Sequence, residues 1–148
     1  MSIETWFLIC NYGVVPAWLL LIVAPGWSGT QRAVHAVWIP LLLGSVYAVT
    51  LLTSPPAPDG ASFATLPGVQ ALFTSPHAVL AGWVHYLVFD LFVGAWEVRD
   101  ARRLGIRHPW VVPSLVLTCM LGPVGLLAYL TTRFALRRTV ELDETRAL

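Results

Sequence analysis

The sequence predicts an all-α integral membrane protein, folded as an antiparallel bundle of four transmembrane helices. Hydrophobic residues make up 57% of the 148 residues and charged residues only 11%, whereas soluble domains carry about 25% charged residues. The mean hydropathy is +0.71. Four apolar runs of about 20 residues, the length of a membrane-crossing helix, follow one another with short connections that favour antiparallel neighbours. The length of the chain allows one membrane domain over residues 1–148.

The four runs are separated by segments typical of turns. The first run ends at Pro25-Gly26 and the second at Ser54-Pro55-Pro56, and an arginine-rich turn follows the third. The start of the chain has no basic segment, so we expect the first run to be a retained span and not a signal peptide. The predicted spans are residues 5–24, 34–53, 78–98 and 110–131, and a charged tail at 132–148, expected to be a surface helix or disordered, follows them.

With four spans, both termini and the loop at 54–77 share one side of the membrane, here called side A. The loops after the first and third spans share the other side, called side B. Side B carries five of the nine arginines, which favours a cytoplasmic side B under the positive-inside rule.

The third run holds ionisable groups in a segment that would otherwise face only lipid. At about 100° per residue, its polar groups share less than half of the helix circumference. These groups are His85, Tyr86, Asp90 and Glu97. Leu87, Leu91 and Ala95 lie on the other side, which we expect to face lipid. A carboxylate near the bilayer centre costs about 2.5–3.5 kcal/mol on insertion scales, so Asp90 is a candidate functional residue.

Polar side chains of three different spans fall at one predicted depth. Asn11 and Tyr47 lie about six residues from the side A ends of their spans and His85 lies about seven, so all three are about 10 Å into the bilayer. Gly125 of the fourth span reaches the same level without a side chain. We therefore expect a polar chamber open toward side A, with Asp90 deeper, near the midplane.

The same residues also have a structural interpretation. Asn11, Tyr47 and His85 can join helices through hydrogen bonds alone. In this interpretation Glu97 and Asp100 are interfacial charges that pair with the arginine cluster at 99–107 near side B. Because exposed ion pairs contribute only about 0–1 kcal/mol, single arginine substitutions in that cluster are expected to change stability little.

Composition and spacing argue against several classes of function. All nine basic residues are arginines and no basic run is interleaved with aromatic residues, so we expect no nucleic-acid partner. His85 and Asp90 are displaced by about 7.5 Å along a helix, far more than metal–ligand distances of about 2 Å, so no metal site is expected. The chain has no phosphate-binding or dinucleotide-binding motif, so no cofactor is expected either.

Three motifs carry a resemblance to a known family. They are NYGVVPAWLLLIVAP (Asn11 to Pro25), GWVHYLVFDLFVGAW (Gly82 to Trp96) and GPVGLLAYL (Gly122 to Leu130). Together with Thr30 and Leu72-Phe73, they resemble the abscisic-acid-deficient 4 (ABA4-like) family of small four-helix membrane proteins, which is related to the plant neoxanthin-synthesis protein. The resemblance covers most of residues 5–131.

The resemblance implies terpenoid chemistry within the bilayer. Plant members are needed to convert violaxanthin to neoxanthin, an isomerisation in which an epoxide opens and an allene forms. Such a step needs an acid and a base, and His85 and Asp90 are the catalytic candidates. The ligand-binding candidates are Asn11, Tyr47, Trp83, Tyr86 and Glu97.

Two functions therefore stay open from the sequence, with a transporter as a third. The first is an isomerase-like enzyme acting on a carotenoid or other isoprenoid, and the second is a non-catalytic accessory protein that binds lipid or pigment. The expected partners are membrane lipid and a hydrophobic isoprenoid or carotenoid ligand, with a homo-oligomer as an open alternative. The absence of lysine and of a transit-like start predicts a bacterial member in the inner membrane.

Overall fold

The computed structural model describes residues 1–142, and all regular elements in that range are helical. Three helical segments are long and apolar enough to cross a membrane. These segments are Ile3–Val23, Ser28–Leu52 and Pro76–Arg103. The prediction of an all-α fold with membrane-length apolar helices is confirmed for this part of the chain.

The chain divides into two compact units. The first consists of Met1–Val14 and Ile39–Val88, and the second of Val15–Trp38 and the chain from Phe89 onward. The prediction of a single membrane domain over residues 1–148 stays a prediction.

The first apolar segment contains two helices, α1 (Ile3–Gly13) and α2 (Val15–Val23). Ser2 caps α1, since its hydroxyl accepts a 3.1 Å hydrogen bond from the Thr5 N–H. Such a cap satisfies one of the N–H groups that a helix start leaves without a partner. Pro16 lies at the start of α2, where its missing N–H costs no internal hydrogen bond.

The second apolar segment begins with the short helix α3 (Ser28–Ala33) and continues as α4 (Trp38–Leu52). Thr30, buried in the second unit, donates a 2.7 Å hydrogen bond from Oγ1 to the Ala24 carbonyl and so fixes the preceding turn. The 15 residues of α4 extend about 22 Å.

The predicted loop at 54–77 contains a helix of its own. Helix α5 (Leu66–Leu72) begins after Thr65, whose hydroxyl accepts a hydrogen bond from the Gly68 N–H at 3.2 Å. The long helix α6 (Pro76–Arg103) follows and extends about 42 Å. The boundary between the two compact units falls within α6, after Val88.

The apolar face of α6 is buried in the protein and does not face lipid. Leu87, Leu91 and Ala95 are all buried, at 7%, 4% and 4% exposure, so the prediction that this side faces lipid is wrong. Buried apolar residues continue the stripe at helical spacing toward both ends, as Val84 and Val98 show. Lipid is as apolar as leucine, so an apolar helix face can contact lipid or protein equally well. The distribution of polar residues around a helical wheel therefore does not decide which side of a membrane helix packs on protein.

The predicted fourth span is not one straight helix. After a 3₁₀ turn at His108–Trp110, the chain forms α7 (Val112–Leu121) and α8 (Pro123–Arg137). Gly122 between them has φ +46°, a region that favours glycine.

Helix α8 folds back onto α7. A Cβ atom placed on Gly125 would lie 2.0 Å from the Thr118 nitrogen, whereas a straight helix would separate these residues by about 10 Å along its axis. Gly125, expected to leave space in a chamber, instead permits close contact between the two helices. Residues 110–131 are thus a helical hairpin.

The predicted charged tail begins as part of α8. Arg133 is 2% exposed, so the expectation of a surface helix or disorder from residue 132 is wrong at this position. The helix ends at Arg137, and Arg138 after it takes a left-handed conformation with φ 54°. The last part of the predicted tail, 143–148, lies outside the described residues.

Candidate functional site

The first unit contains a cavity of about 440 Å³ between α4, the 54–75 connection and the first half of α6. Most of its wall is apolar and aromatic. Residues from all three parts of the unit contribute, among them Tyr47, Leu51, Phe63, Phe73, Gly82 and His85. Ligand pockets in proteins commonly occupy 300–1,000 Å³ and are lined in this way, with few polar groups.

Two hydrogen-bonding aromatic side chains lie together in this cavity. The ring centroids of Tyr47 and His85 are 6.2 Å apart and the rings are tilted by 49°. The structure therefore brings together two of the three side chains that were expected at one depth. A phenol and an imidazole can each donate and accept a hydrogen bond, so the pair can orient an oxygen atom on an otherwise apolar ligand.

The third member of that set, Asn11, is engaged elsewhere in the first unit. Trp83 donates a 3.0 Å hydrogen bond from Nε1 to Asn11 Oδ1. The Trp83 ring also packs against Phe7 and Tyr86, with ring centroids 5.7 and 5.4 Å away. This geometry favours the structural interpretation of Asn11. The ligand-binding roles of Trp83 and Tyr86 stay predictions.

Sequence reasoning missed a second cavity in the first unit, with a volume of about 350 Å³. It lies between α1, α4 and the start of α6, and its wall includes Trp6, Val46, Thr50 and His77. Val46 and Thr50 are four residues apart, and that helical spacing was the available signal.

In the second unit, Asp90 lies against the turn of the α7–α8 hairpin. A Cβ atom on Gly122 would lie 2.8 Å from Asp90 Oδ1. The Gly122-Pro123 pair at the hairpin turn therefore lies beside the Asp90 carboxyl group. Gly122 is thus required twice, for its positive φ and for the close approach of a carboxyl group. The catalytic role of Asp90 stays a prediction.

Glu97 and Asp100 are buried, at 0% and 2% exposure, one helical turn apart on α6. Thr118 of α7 donates a 2.8 Å hydrogen bond from Oγ1 to Glu97 Oε1. The prediction that both residues are interfacial charges is therefore wrong. The predicted ligand-binding role of Glu97 stays a prediction.

The Asp100 side chain accepts three hydrogen bonds from side chains of α6 and α8. Its Oδ2 accepts from the Tyr129 hydroxyl at 2.6 Å and from Arg133 Nε at 2.8 Å, and its Oδ1 pairs with Arg103 at 2.6 Å. The Trp96 ring packs edge-on against Tyr129, with ring centroids 5.4 Å apart. Within the predicted arginine cluster 99–107, Arg103 is the correct partner, and Arg133 was missed.

Arg133 and Tyr129 escaped the sequence analysis because they were placed on a straight fourth span and in a surface tail. The sequence did contain a signal for their association. Tyr129 and Arg133 are four residues apart at the end of an apolar run, and this spacing puts both side chains on one helix face. Arg133 also donates from Nη1 to the Thr139 carbonyl at 3.0 Å and from Nη2 to the Glu141 carbonyl. One buried guanidinium thus joins α6, α8 and the segment after α8.

Within residues 1–142, no three histidine, cysteine, aspartate or glutamate side chains gather as metal ligands.

Comparison with known proteins gives two matches. A family model described as ABA DEFICIENT 4-like matches residues 5–129. The protein ABA DEFICIENT 4, chloroplastic, from Arabidopsis thaliana is 26% identical over 136 residues, which are 86% of this chain and 60% of that protein. The chain therefore spans about three fifths of the length of this relative, and no solved structure matches it.

Proposed function

Because the chain belongs to the ABA4-like family, whose model covers residues 5–129, we propose that it binds a carotenoid or related isoprenoid from within a membrane. The observation that carries the proposal is the apolar cavity of about 440 Å³ that includes Tyr47 and His85. Its aromatic wall suits a polyene or ring of an isoprenoid, and its two hydrogen-bonding groups suit a single oxygenated end. Membrane lipid surrounds the helices in this proposal.

The family resemblance extends the proposal to a reaction, the isomerisation of an epoxide to an allene. The C–O bond of the epoxide breaks as its oxygen gains a proton, and a vinylic carbon loses a proton as the allene forms. One proton is added and one is removed, so no oxidant or reductant is needed. His85, whose imidazole can donate and accept a hydrogen bond, is the candidate acid or base in the cavity, and Asp90 is the second candidate.

A binding protein without catalysis is the alternative, and one contact favours it. The Trp83–Asn11 hydrogen bond uses a polar group of the predicted chamber for helix packing, so fewer groups are available for chemistry. Both versions predict a bound isoprenoid. They differ in whether the bound molecule is converted.

We also propose a topology of three crossings and a re-entrant hairpin in place of the predicted four-crossing bundle. Helix α7 extends about 15 Å, half of the hydrocarbon thickness of about 30 Å. The end of α8 returns to the end of α6, since Arg137 Nη2 donates a hydrogen bond to the Gly105 carbonyl. The hairpin therefore enters and leaves on side B. The prediction of a bacterial inner membrane stays a prediction.

The binding proposal is tested by purifying the full chain from a carotenoid-producing host and identifying extracted pigments and lipids by mass spectrometry. We expect an isoprenoid at near-stoichiometric amount in the unmodified protein. The amount should fall several-fold in His85→Ala and in Tyr47→Phe. The matched control is Tyr12→Phe, which removes the same hydroxyl from an exposed tyrosine outside the cavity wall.

Two results would overturn the proposal. One is the absence of any co-purified isoprenoid together with no binding of added epoxycarotenoid. The other is equal ligand content in the two cavity variants and the control. Conversion is tested separately, by incubating the protein with an epoxycarotenoid and following loss of the epoxide by chromatography.

A further inference from the structure

One end of the second unit exposes arginines in the turns and helix ends that meet there. Six of the eight arginines among residues 1–142 are exposed, all in this unit, and we call them the arginine rim. The members of the arginine rim are Arg32, Arg99, Arg102, Arg107, Arg137 and Arg138.

Contacts between the helix ends hold most of this surface together. The end of α6 meets the turn after α2, since a Cβ atom on Gly26 would lie 3.4 Å from Arg102 Nη2. It also meets the segment after α3, where Arg99 Nη1 lies 3.2 Å from His35 Nδ1. The ends of α2, α3 and α6 therefore converge.

Two further contacts add the remaining elements. His108 Nε2 lies 2.8 Å from the Ile22 carbonyl oxygen, which attaches the 3₁₀ turn to the end of α2. The hydrogen bond from Arg137 to the Gly105 carbonyl attaches the end of α8 to the turn after α6. The rim is thus one surface built from five chain segments.

The charge of this surface is not neutralised within residues 1–142. Asp100 forms ion pairs with Arg103 and Arg133, and neither arginine belongs to the rim. The sequence predicted that Glu97 and Asp100 pair within the arginine cluster, but both carboxyl groups are buried. Burial of the two acidic residues leaves the rim with a surplus of positive charge.

Exposed tryptophans lie in the same chain segments. Trp27 precedes α3, Trp38 begins α4 and Trp110 ends the 3₁₀ turn, and all three are exposed. Tryptophan is enriched at the boundary between hydrocarbon and headgroups. These side chains would set the rim at headgroup level in the membrane placement proposed above.

We propose that the arginine rim binds the phosphate groups of anionic phospholipids. A guanidinium donates two parallel hydrogen bonds to a phosphate, and clusters of four to eight basic residues beside a membrane helix recognise anionic headgroups. The inference rests on the proposed membrane placement but is independent of the ligand in the cavity. It makes the lipid composition of side B a determinant of stability.

The test measures lipid preference on the full chain. The purified protein is placed in bilayers of phosphatidylcholine alone or mixed with phosphatidylglycerol, and retained lipids and thermal stability are measured. We expect phosphatidylglycerol to be retained preferentially, to raise the melting temperature, and to lose both effects as salt concentration increases. Arg99→Gln and Arg102→Gln should each reduce the preference about fivefold at low ionic strength.

Charge-conserving variants supply the matched control. Arg99→Lys and Arg102→Lys keep the charge, so they should retain most of the preference and lose the share that depends on paired hydrogen bonds. Equal retention of the two lipids by the unmodified protein at low salt would overturn the proposal, even if the glutamine variants did not fold. Unchanged pigment content in the folded rim variants would separate this result from the proposed cavity function.

Discussion

Arg133 Nε donates a 2.8 Å hydrogen bond to Asp100 Oδ2 across 33 residues of sequence, and both side chains are 2% exposed. Removing one partner of a buried ion pair costs about 3–5 kcal/mol, because the other charge is left without compensation. We therefore expect Arg133→Met to lower the free energy of unfolding by about that amount. Chemical or thermal unfolding in detergent measures the change.

The double variant Asp100→Asn with Arg133→Met should recover part of this loss, since neither buried charge remains. Arg137→Met is the control, because Arg137 is exposed and bonds only a turn carbonyl; it should cost less than about 1 kcal/mol. A loss as large in the control as in Arg133→Met would contradict the buried-pair explanation.

Gly122→Ala should destabilise the hairpin. A side chain at φ +46° is strained, at a cost of about 1–3 kcal/mol, and its Cβ would lie 2.8 Å from Asp90 Oδ1. Gly13→Ala is the matched control, since a Cβ there meets nothing within 4 Å. Adding Asp90→Ala to Gly122→Ala relieves the contact but not the backbone strain, so stability should recover only in part.

The compartment of each loop and of the C-terminal end distinguishes a topology of three crossings from one of four. Reporter fusions after Gly29, after Arg103 and at the C-terminal end should report one compartment, and a fusion at Asp59 the other. The reason is that α8 returns to the end of α6. A C-terminal reporter in the compartment of Asp59 would restore the four-crossing bundle.

Asp90→Asn and His85→Ala test the two predicted catalytic residues one at a time. If each acts on the ligand, each variant should fold and insert normally but lose turnover or bound ligand several-fold. Phe92→Ala is the control, since Phe92 is exposed on the same helix. Leu87→Ala is unsuitable as a control, because Leu87 is buried and its truncation should cost about 2–5 kcal/mol. Normal ligand content and turnover in both variants would favour the structural interpretation.

Hydropathy located three of the apolar segments, with ends that differ from the observed ones by up to six residues. The predicted spans 5–24 and 78–98 lie within or near the observed Ile3–Val23 and Pro76–Arg103. The fourth run is two helices and not one, which hydropathy could not show because 22 apolar residues suit a crossing helix and a hairpin of two half-length helices equally well. What distinguishes the two is the backbone at Gly122, whose positive φ the sequence signals only through the Gly-Pro pair.

The site was predicted unevenly for a related reason. Depth along a helix follows from residue counting, and it correctly placed Tyr47 beside His85. The buried side of α6 does not follow from counting, since Leu87 and a lipid-facing leucine have the same hydropathy. The hydrogen bond between Arg133 and Asp100 forms only because α8 folds back on α7. A prediction that placed residues 110–131 on one straight helix could not include it.

The hydrogen bond between Asp100 and Arg133 also has a consequence for folding during synthesis, because Asp100 is made before Arg133. At about 5–20 residues per second, a ribosome takes roughly 2–7 seconds to add the 33 residues from Asp100 to Arg133. Until Tyr129 and Arg133 are made, Asp100 lacks two of its three hydrogen-bond partners, and an unmatched carboxylate is costly in lipid. We expect a chain stalled before Tyr129 to leave the end of α6 accessible to aqueous reagents. The α7–α8 hairpin, made after α6, is then the element that fixes the end of α6 in its final position.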